Sequence, residues 1–461
     1  MTDVEVPPFR LRGLMNGIDE APGKVWFFEL AAAVIDADRC VRCGACVAAC
    51  PTDSLGVNAD DLPYLVKMCT GCSLCWDFCP RGGLRYEATW LPSDGASASR
   101  IGVTADGEGG PSLAGEAPAA VPQAAAPVAG VVGVAGAGGD VADAGALDWR
   151  VTGADPAPGL GRVVERAAMR VRDGSPLRAP RSQDGGVVTA VLVAALEAGA
   201  VDGVLLARED PAQPWRGVPY LATTTDEIRA SGGSFYNQTL ALGALDLDKA
   251  GLSGDARVAL VGTPCEIQGI RALQARSWRR GTSRVDAVTL AIALLCTKSF
   301  DYRKLMVQSL AVDRGLDLTE VGKVDVIHGK LIVLDRDGQM LVDEPVKAFH
   351  GAALKGCDEC ADFLGRAADV SVGSVGSPDG WSSVLVRTAA GMAAIERVRH
   401  ELEVAELDRP EALEKLDRLD KKVARSALQR PFEPDGPLFV DFAEHLTFYD
   451  GTDRAPVWLG R

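Results

Sequence analysis

The chain has no run of about 18 uncharged apolar residues, and its N-terminus, MTDVEVPPFRLRG, lacks a hydrophobic signal core. The expectation is a soluble, unexported, cytoplasmic protein without direct membrane insertion, whose only route to a membrane is a partner subunit. Positive charge is outnumbered, 48 Lys and Arg against 63 Asp and Glu. The formal net charge of −15 argues against nucleic acid, whose binding needs a basic footprint; it suits either plain solubility or docking on a basic face of a partner. The only four histidines, His328, His350, His400 and His445, fall in no ligand pattern. No Ser-His-Asp set or carboxylate dyad stands out, and G-x-G-x-x-G after a strand is missing, which removes an ordinary Rossmann site.

Cysteine is what the chain has in quantity, twelve in 461 residues. In a reducing compartment such thiols bind metal more readily than they form disulfides. Cys40, Cys43, Cys46 and Cys50, followed by Pro51, spell C-x2-C-x2-C-x3-C-P, and Cys69, Cys72, Cys75 and Cys79, followed by Pro80, repeat it. Two-residue gaps let a tight loop wrap three thiolates round one face of an iron–sulfur cube, and the small Gly44, Ala45, Gly71 and Ser73 keep the backbone close. A zinc site would show pairs of C-x2-C instead. From Ile35 to Glu87 the pattern resembles the bacterial-type two-cluster ferredoxins. In that arrangement the fourth cysteine crosses over, so one [4Fe–4S] cluster takes Cys40, Cys43, Cys46 and Cys79 and the other Cys69, Cys72, Cys75 and Cys50.

The length predicts more than one core. Residues 1–90 read as the ferredoxin domain. Residues 91–148, rich in Ala, Gly, Pro and Val, have too few large side chains to offset their ordering entropy and read as a tether. That tether suits either a swinging or a statically docked module. Residues 149–390 read as an α/β body, a mixed sheet with flanking helices, and 391–461 as a helical C-terminal extension whose charged face is solvated.

Within the body, Ser182–Gly186 is a glycine-rich turn opening a helix that runs to about Ala198, and VDGVLLA follows as a strand. Such a turn leaves unpaired N–H groups able to hold a phosphate, or simply caps the helix. Ala230–Leu240, ASGGSFYNQTL, reads as a second turn of this kind before a helix-like run; its Tyr236 and Asn237 either meet a ring or ribityl chain or only pack and cap. Val258–Gln268 reads as strand, glycine, then Cys265 at a helix start. Val288–Leu295 is another strand, ending at Cys296, and Cys357 and Cys360 form C-x2-C ahead of a strand at Asp369–Val372. Gly329–Pro345 reads as a hairpin. Carboxyl ends of parallel strands are where open α/β sheets gather ligands.

In this order, the turn and helix at Gln183–Leu192, VGTPCEIQGIRAL, LLCTKSF, C-x2-C-ADF and ADVSVGS resemble the coenzyme F420 hydrogenase/dehydrogenase beta-subunit family over Gly161–Val386. A ferredoxin module fused in front resembles the subunit that oxidises reduced coenzyme F420 for a complex-I-like dehydrogenase. The resemblance implies a third [4Fe–4S] cluster on Cys265, Cys296, Cys357 and Cys360, with FAD contacts at Ser182, Gly185, Gly186, Thr189, Ser231, Gly233 and Ser234. Lys298 is the expected residue facing the flavin or the deazaflavin, or else a solvated lysine. Arg170, Arg172, Arg178 and Arg181 are candidates for the phosphate and glutamate tail of coenzyme F420, or a solvated basic stretch.

A hydride carrier gives two electrons and a [4Fe–4S] cluster accepts one, so a flavin belongs between them. The implied activity is hydride transfer between coenzyme F420 and FAD, with single electrons passing through three clusters to a redox partner: a hydrogenase, a formate dehydrogenase or a complex-I-like module. Two alternatives stay open, a ferredoxin-dependent reductase of a small organic acceptor, as in single-subunit plant relatives of this family that reduce a chlorophyll side group, and an electron-carrying adaptor without its own substrate.

Overall fold

The computed structural model describes residues 26–82, 88–90, 159–161, 163–179, 181–275, 284–428 and 438–440. The expected tether at 91–148 and His445 lie outside them.

The N-terminal module carries helices α1 (Phe27–Leu30), α2 (Ala45–Ala49) and α3 (Leu74–Asp77), and strands β1 (Leu55–Val57) and β2 (Pro63–Leu65), which pair antiparallel. Each cysteine triplet runs into a short helix whose cap is left-handed, Gly44 at φ 81° and Ser73 at φ 68°. A side chain at Gly44 would also press on the Leu240 carbonyl and the Gly243 amide, so at this position glycine is required by both φ and space. Strand β3 (Ala88–Trp90) pairs with the C-terminal Leu438–Val440.

The body is a mixed sheet with flanking helices, as expected. Its strands are β4 (Glu165–Val171), β5 (Gly203–Asp210), β6 (Gln213–Ala222), β7 (Val258–Gly262) and β8 (Val288–Leu294), then, after the smaller sheet described below, β12 (Val370–Gly373), β13 (Ser382–Val386) and β14 (Leu402–Ala405). They lie in the order β14-β4-β13-β12-β8-β7-β5-β6. The centre, β12, β8, β7 and β5, is parallel, and both flanks are antiparallel. Continuous apolar runs such as VTLAIAL suit strands covered on both faces.

Alternation sorts the two faces. Val204, Leu206, Ala259 and Ile292 pack with helices α4 (Val187–Glu197) and α7 (Ala389–Val398). Leu205, Val258, Leu260 and Ala293 face the other way, onto helix α6 (Pro264–Ala275). That second core does not end at the body, because Val41, Cys43, Ala45, Ala48, Ala49 and Phe78 of the module belong to it. Each buried Leu or Val there is worth about 1.5–3 kcal/mol of burial, so the module is docked by a shared core rather than by charge alone. A smaller sheet, β9 (Val321–Ile327), β10 (Lys330–Asp335) and β11 (Met340–Pro345), packs with helix Arg303–Val312; β10 and β11 are the expected hairpin.

Two expectations change. The glycine-rich stretch at Ser231 does not open a helix: it closes α5 (Thr225–Ala230), with Ser231 as its C-cap, and leads through irregular chain into a single turn at Ala241–Ala244. Serine and glycine serve a helix end of either sign, so the spelling could not fix the polarity. The charged C-terminal stretch is not helical throughout and not fully solvated. Its Leu402–Ala405 forms the edge of the main sheet, and α8 (Pro410–Leu428) buries Asp417 and Lys421 against Arg366.

Candidate functional site

Parallel register brings the body's four cysteines together. Cys265 opens α6 just beyond β7, behind Pro264 at the first helical position, where proline's missing N–H costs nothing. Cys296 follows β8, the neighbouring parallel strand, and its amide donates to the Phe363 carbonyl. The thiol of Cys296 lies within charge–charge reach of Cys357, Cys265 and Cys360, and that of Cys265 within reach of Cys360. In the module, Cys79 is within the same reach of Cys40, Cys43 and Cys46. Cys50, Cys69, Cys72 and Cys75 line one hollow with Phe27, Thr52 and Thr70. The twelve cysteines therefore stand in three groups of four, and the fourth cysteine of each run sits with the other run's triplet. Cys43 reaches Cys265 and Cys46 reaches Cys75, so the three groups form a continuous chain.

Burial sets the chemistry of these thiols. It pushes Cys40 and Cys357 up to about 11 and Cys265 higher still. Such a set ionises only against a strong positive charge, which iron would supply. Among the described residues, no three His, Cys, Asp or Glu close round a point as a single ion requires; a four-iron cube holds its ligand sulfurs farther apart. Backbone amides already point at the sulfurs, Arg42 at Cys40 (3.4 Å), Ser54 at Cys50 (3.2 Å), Gly71 at Cys69 (3.3 Å) and Ser299 at Cys357 (3.5 Å). These contacts stabilise negative charge on sulfur and raise a cluster's potential.

Supporting residues that motif reading passed over stand behind this site. Gln238, buried, donates to Thr263 Oγ1 at 2.8 Å and accepts from Ser299 Oγ at 2.9 Å, so one amide ties the Cys265 loop to the Cys296 loop. Its place just after SGGSFYN was the available signal. Arg271 of α6 pairs with Asp369 at 2.8 Å, both buried, fixing the Cys265 helix to the chain beyond Cys360. Glu266 accepts from the amides of Thr263 (2.8 Å) and Ala241 (3.3 Å), and burial raises it to about 7. Lys298 is ion-paired to Asp358 at 2.5 Å, in the C-x2-C loop.

The two glycine-rich stretches meet. Ala179 and Arg181 border Gly232, and Gly233 lies against Arg181. Gly186 caps α4 at φ 71° and makes no side-chain cap hydrogen bond, which leaves the amides opening this eleven-residue helix without an intrahelical or side-chain cap acceptor. Ser182 and Ser231 donate their hydroxyls to the carbonyls of Ala179 and Glu227, both at 2.8 Å, which leaves backbone amides as the donors for a phosphate. Gly185 is buried, donating to Ser382 Oγ at 3.1 Å, whereas Thr189 and Ser234 are half-buried. Tyr236 donates to Asp325 Oδ1 at 2.9 Å, and Asn237 bonds both ways with the Gly217 backbone at 2.8 Å, so these two pack and cap. The four arginines that are candidates for the anionic tail of coenzyme F420 each have a partner in the fold: Arg170 with Glu403 (2.8 Å), Arg172 with the His400 carbonyl (3.2 Å), Arg178 with Asp173 (3.3 Å) and Arg181 with Glu209 (2.6 Å).

Beside Gly185, burial and then the charge of Asp325 raise Asp184 from near 4 to about 6. A carboxyl raised on folding stabilises the fold fully at low pH and loses that contribution as pH climbs through the folded value. Asp184→Asn, which cannot ionise, should therefore gain stability relative to the parent between roughly pH 4 and pH 6, with the difference level above. Urea unfolding at a series of pH values reads this, and a difference independent of pH would refute it.

Residues 33–85 match the 4Fe–4S dicluster domain, and with the docked α/β body they place the chain among iron–sulfur electron-transfer proteins. It belongs to the coenzyme F420 hydrogenase/dehydrogenase beta-subunit family: residues 169–246 match the N-terminal region of that family and 255–410 its C-terminal region. The coenzyme F420 hydrogenase beta subunit of Methanothermobacter thermautotrophicus is 36% identical over 219 residues, 47% of this chain and 75% of that one. The coenzyme F420-dependent sulfite reductase of Methanocaldococcus jannaschii is 33% identical over 278 residues, 58% of this chain and 41% of that one. A chain of the xenon-derivatised F420-reducing [NiFe] hydrogenase complex from Methanosarcina barkeri superposes with TM-score 0.54 at 30% identity, covering 60% of this chain and 94% of that chain. No helix among the described residues is long and apolar enough to cross a membrane.

Proposed function

We propose that this chain is a coenzyme F420-dependent oxidoreductase subunit that moves electrons between coenzyme F420 and a redox partner through FAD and three [4Fe–4S] clusters. The observation that carries the reading is the unbroken series of cysteine groups, Cys69 group to Cys40 group to Cys265 group, ending where Gln238 links the Cys265 loop to the chain that follows the second glycine-rich loop. Gly185, Gly186, Thr189 and the α4 amides, with Ser231, Gly233 and Ser234 opposite, would hold FAD. Its ring supplies the exchange between two-electron hydride chemistry and one-electron transfer.

The chain's own residues then bind and position. The amides opening α4 take anionic phosphate, and the docked module excludes water from the Cys265 loop. Amides and hydroxyls aimed at the sulfurs set the potentials. Lys298, beside Cys357 and paired with Asp358, is placed to compensate charge on that side. The partner, a hydrogenase, formate dehydrogenase or complex-I-like module, receives electrons from the module.

Anaerobically reconstituted chain is expected to carry about one FAD and about twelve irons and to reduce a viologen with reduced coenzyme F420. Full cofactor content with no dye reduction at any pH would sink the coenzyme F420 assignment, and absence of FAD would favour the adaptor reading.

A further inference from the structure

The seam between module and body is closed by arginines. Arg39 forks onto Glu359 at 2.6 and 2.9 Å, Arg42 pairs with Asp301 at 2.5 Å, and Arg216 of the body reaches Asp61 at 2.7 Å. Arg81 differs from these. It follows Cys79-Pro80, is 4% exposed, and donates through Nε to the Gly356 carbonyl at 2.6 Å and through Nη1 to the Pro80 carbonyl at 3.0 Å. Its own carbonyl accepts from Arg39 at 2.8 Å. Gly356 is pressed against the module: any Cβ there would collide with the Arg39 carbonyl and crowd Val41. The guanidinium stands within charge–charge reach of Cys265, Cys357 and Cys360 on one side and of Cys40 and Cys79 on the other. One fixed cation thus serves sulfurs of two different groups.

We infer that Arg81 is an electrostatic bridge in the electron path, a positioning residue that holds the Cys40 and Cys265 groups at raised potentials while pinning the module at Gly356. This rests on the reading that both groups bind [4Fe–4S] clusters. A cube with four thiolates is already anionic when oxidised and gains a further charge on reduction, so a buried cation favours the reduced form. The step Arg81 assists moves one electron: the Cys265 group loses it as the Cys40 group gains it, with no bond or proton changed. A cation shared by both groups meets the moving charge at either end.

The test is a potentiometric titration followed by EPR on the full chain carrying its clusters. Arg81→Gln is expected to lower the reduced-to-oxidised ratio of both groups at least tenfold at a fixed poise, ~59 mV for one electron. The Cys69 group, whose hollow Arg81 does not line, is expected to stay put and serves as the internal reference. Arg81→Lys keeps the charge and should restore most of the shift. Glu359→Gln, which removes a negative charge near Arg81, should move the Cys265 group upward, and it decides the matter if Arg81→Gln does not load. Iron analysis separates the two levels: a parent chain with only about eight irons removes the underlying cluster reading and this inference with it. About twelve irons with unmoved potentials in Arg81→Gln, an equal fall in Arg81→Lys, or a downward shift in Glu359→Gln overturns the bridge alone.

Discussion

Changing Cys265 to serine is expected to take the iron content from about twelve to about eight per chain and to cut dye reduction by reduced coenzyme F420 by more than ~100-fold. Residues that merely orient a ligand typically cost 10–100-fold when changed, so loss of the ligand itself should exceed that range. The position matters because Cys265 is the body thiol that reaches both Cys296 and Cys360 in its own group and Cys43 in the next. Bound FAD should survive, since Gly185 and Gly186 lead into α4, which packs on the opposite face of the sheet from α6. Iron and flavin analysis with a stopped-flow assay checks this; full iron in Cys265→Ser would remove Cys265 from the site.

Asp369→Ala should cost about 3–5 kcal/mol of stability, the range for breaking a buried ion pair from one side. Asp369 Oδ2 accepts from Arg271 at 2.8 Å and from the Ala291 amide at 2.7 Å, and Oδ1 accepts from Thr388 at 2.7 Å. Removing it strips the buried Arg271 guanidinium of its carboxylate and leaves two further donors short. The contacts join α6, β8 and the start of α7 behind the Cys265 group, so the variant should also lose iron faster to a chelator. Denaturant unfolding reads the first effect; a change under about 1 kcal/mol would mean that water replaces the carboxylate.

Much of this was legible in the chain. Two C-x2-C-x2-C-x3-C-P runs announce a ferredoxin module because three ligands of each cube come from one short loop. Apolar runs ending at Cys265 and Cys296 announce strand ends because parallel strands covered on both faces are uninterrupted. Less legible was anything whose meaning depends on direction or neighbours. Ser231 closes a helix that its spelling allowed it to open, and Leu402–Ala405 leaves a helical-looking stretch to edge the sheet. What Arg170, Arg172, Arg178 and Arg181 meet was only partly local: Asp173 lies five residues from Arg178, whereas Glu403, the His400 carbonyl and Glu209 come from later in the chain.

Local spacing was enough to announce the ferredoxin repeats, the α/β body and the family, because thiol loops and strand-to-helix turns are written in contiguous residues. Long-range packing alone seated the module on α6 through a common core, lined its cysteine groups up with the body's, and set Arg81 between two of them. Those relations join residues hundreds of positions apart, and contacts of that kind leave no periodic trace in a single chain.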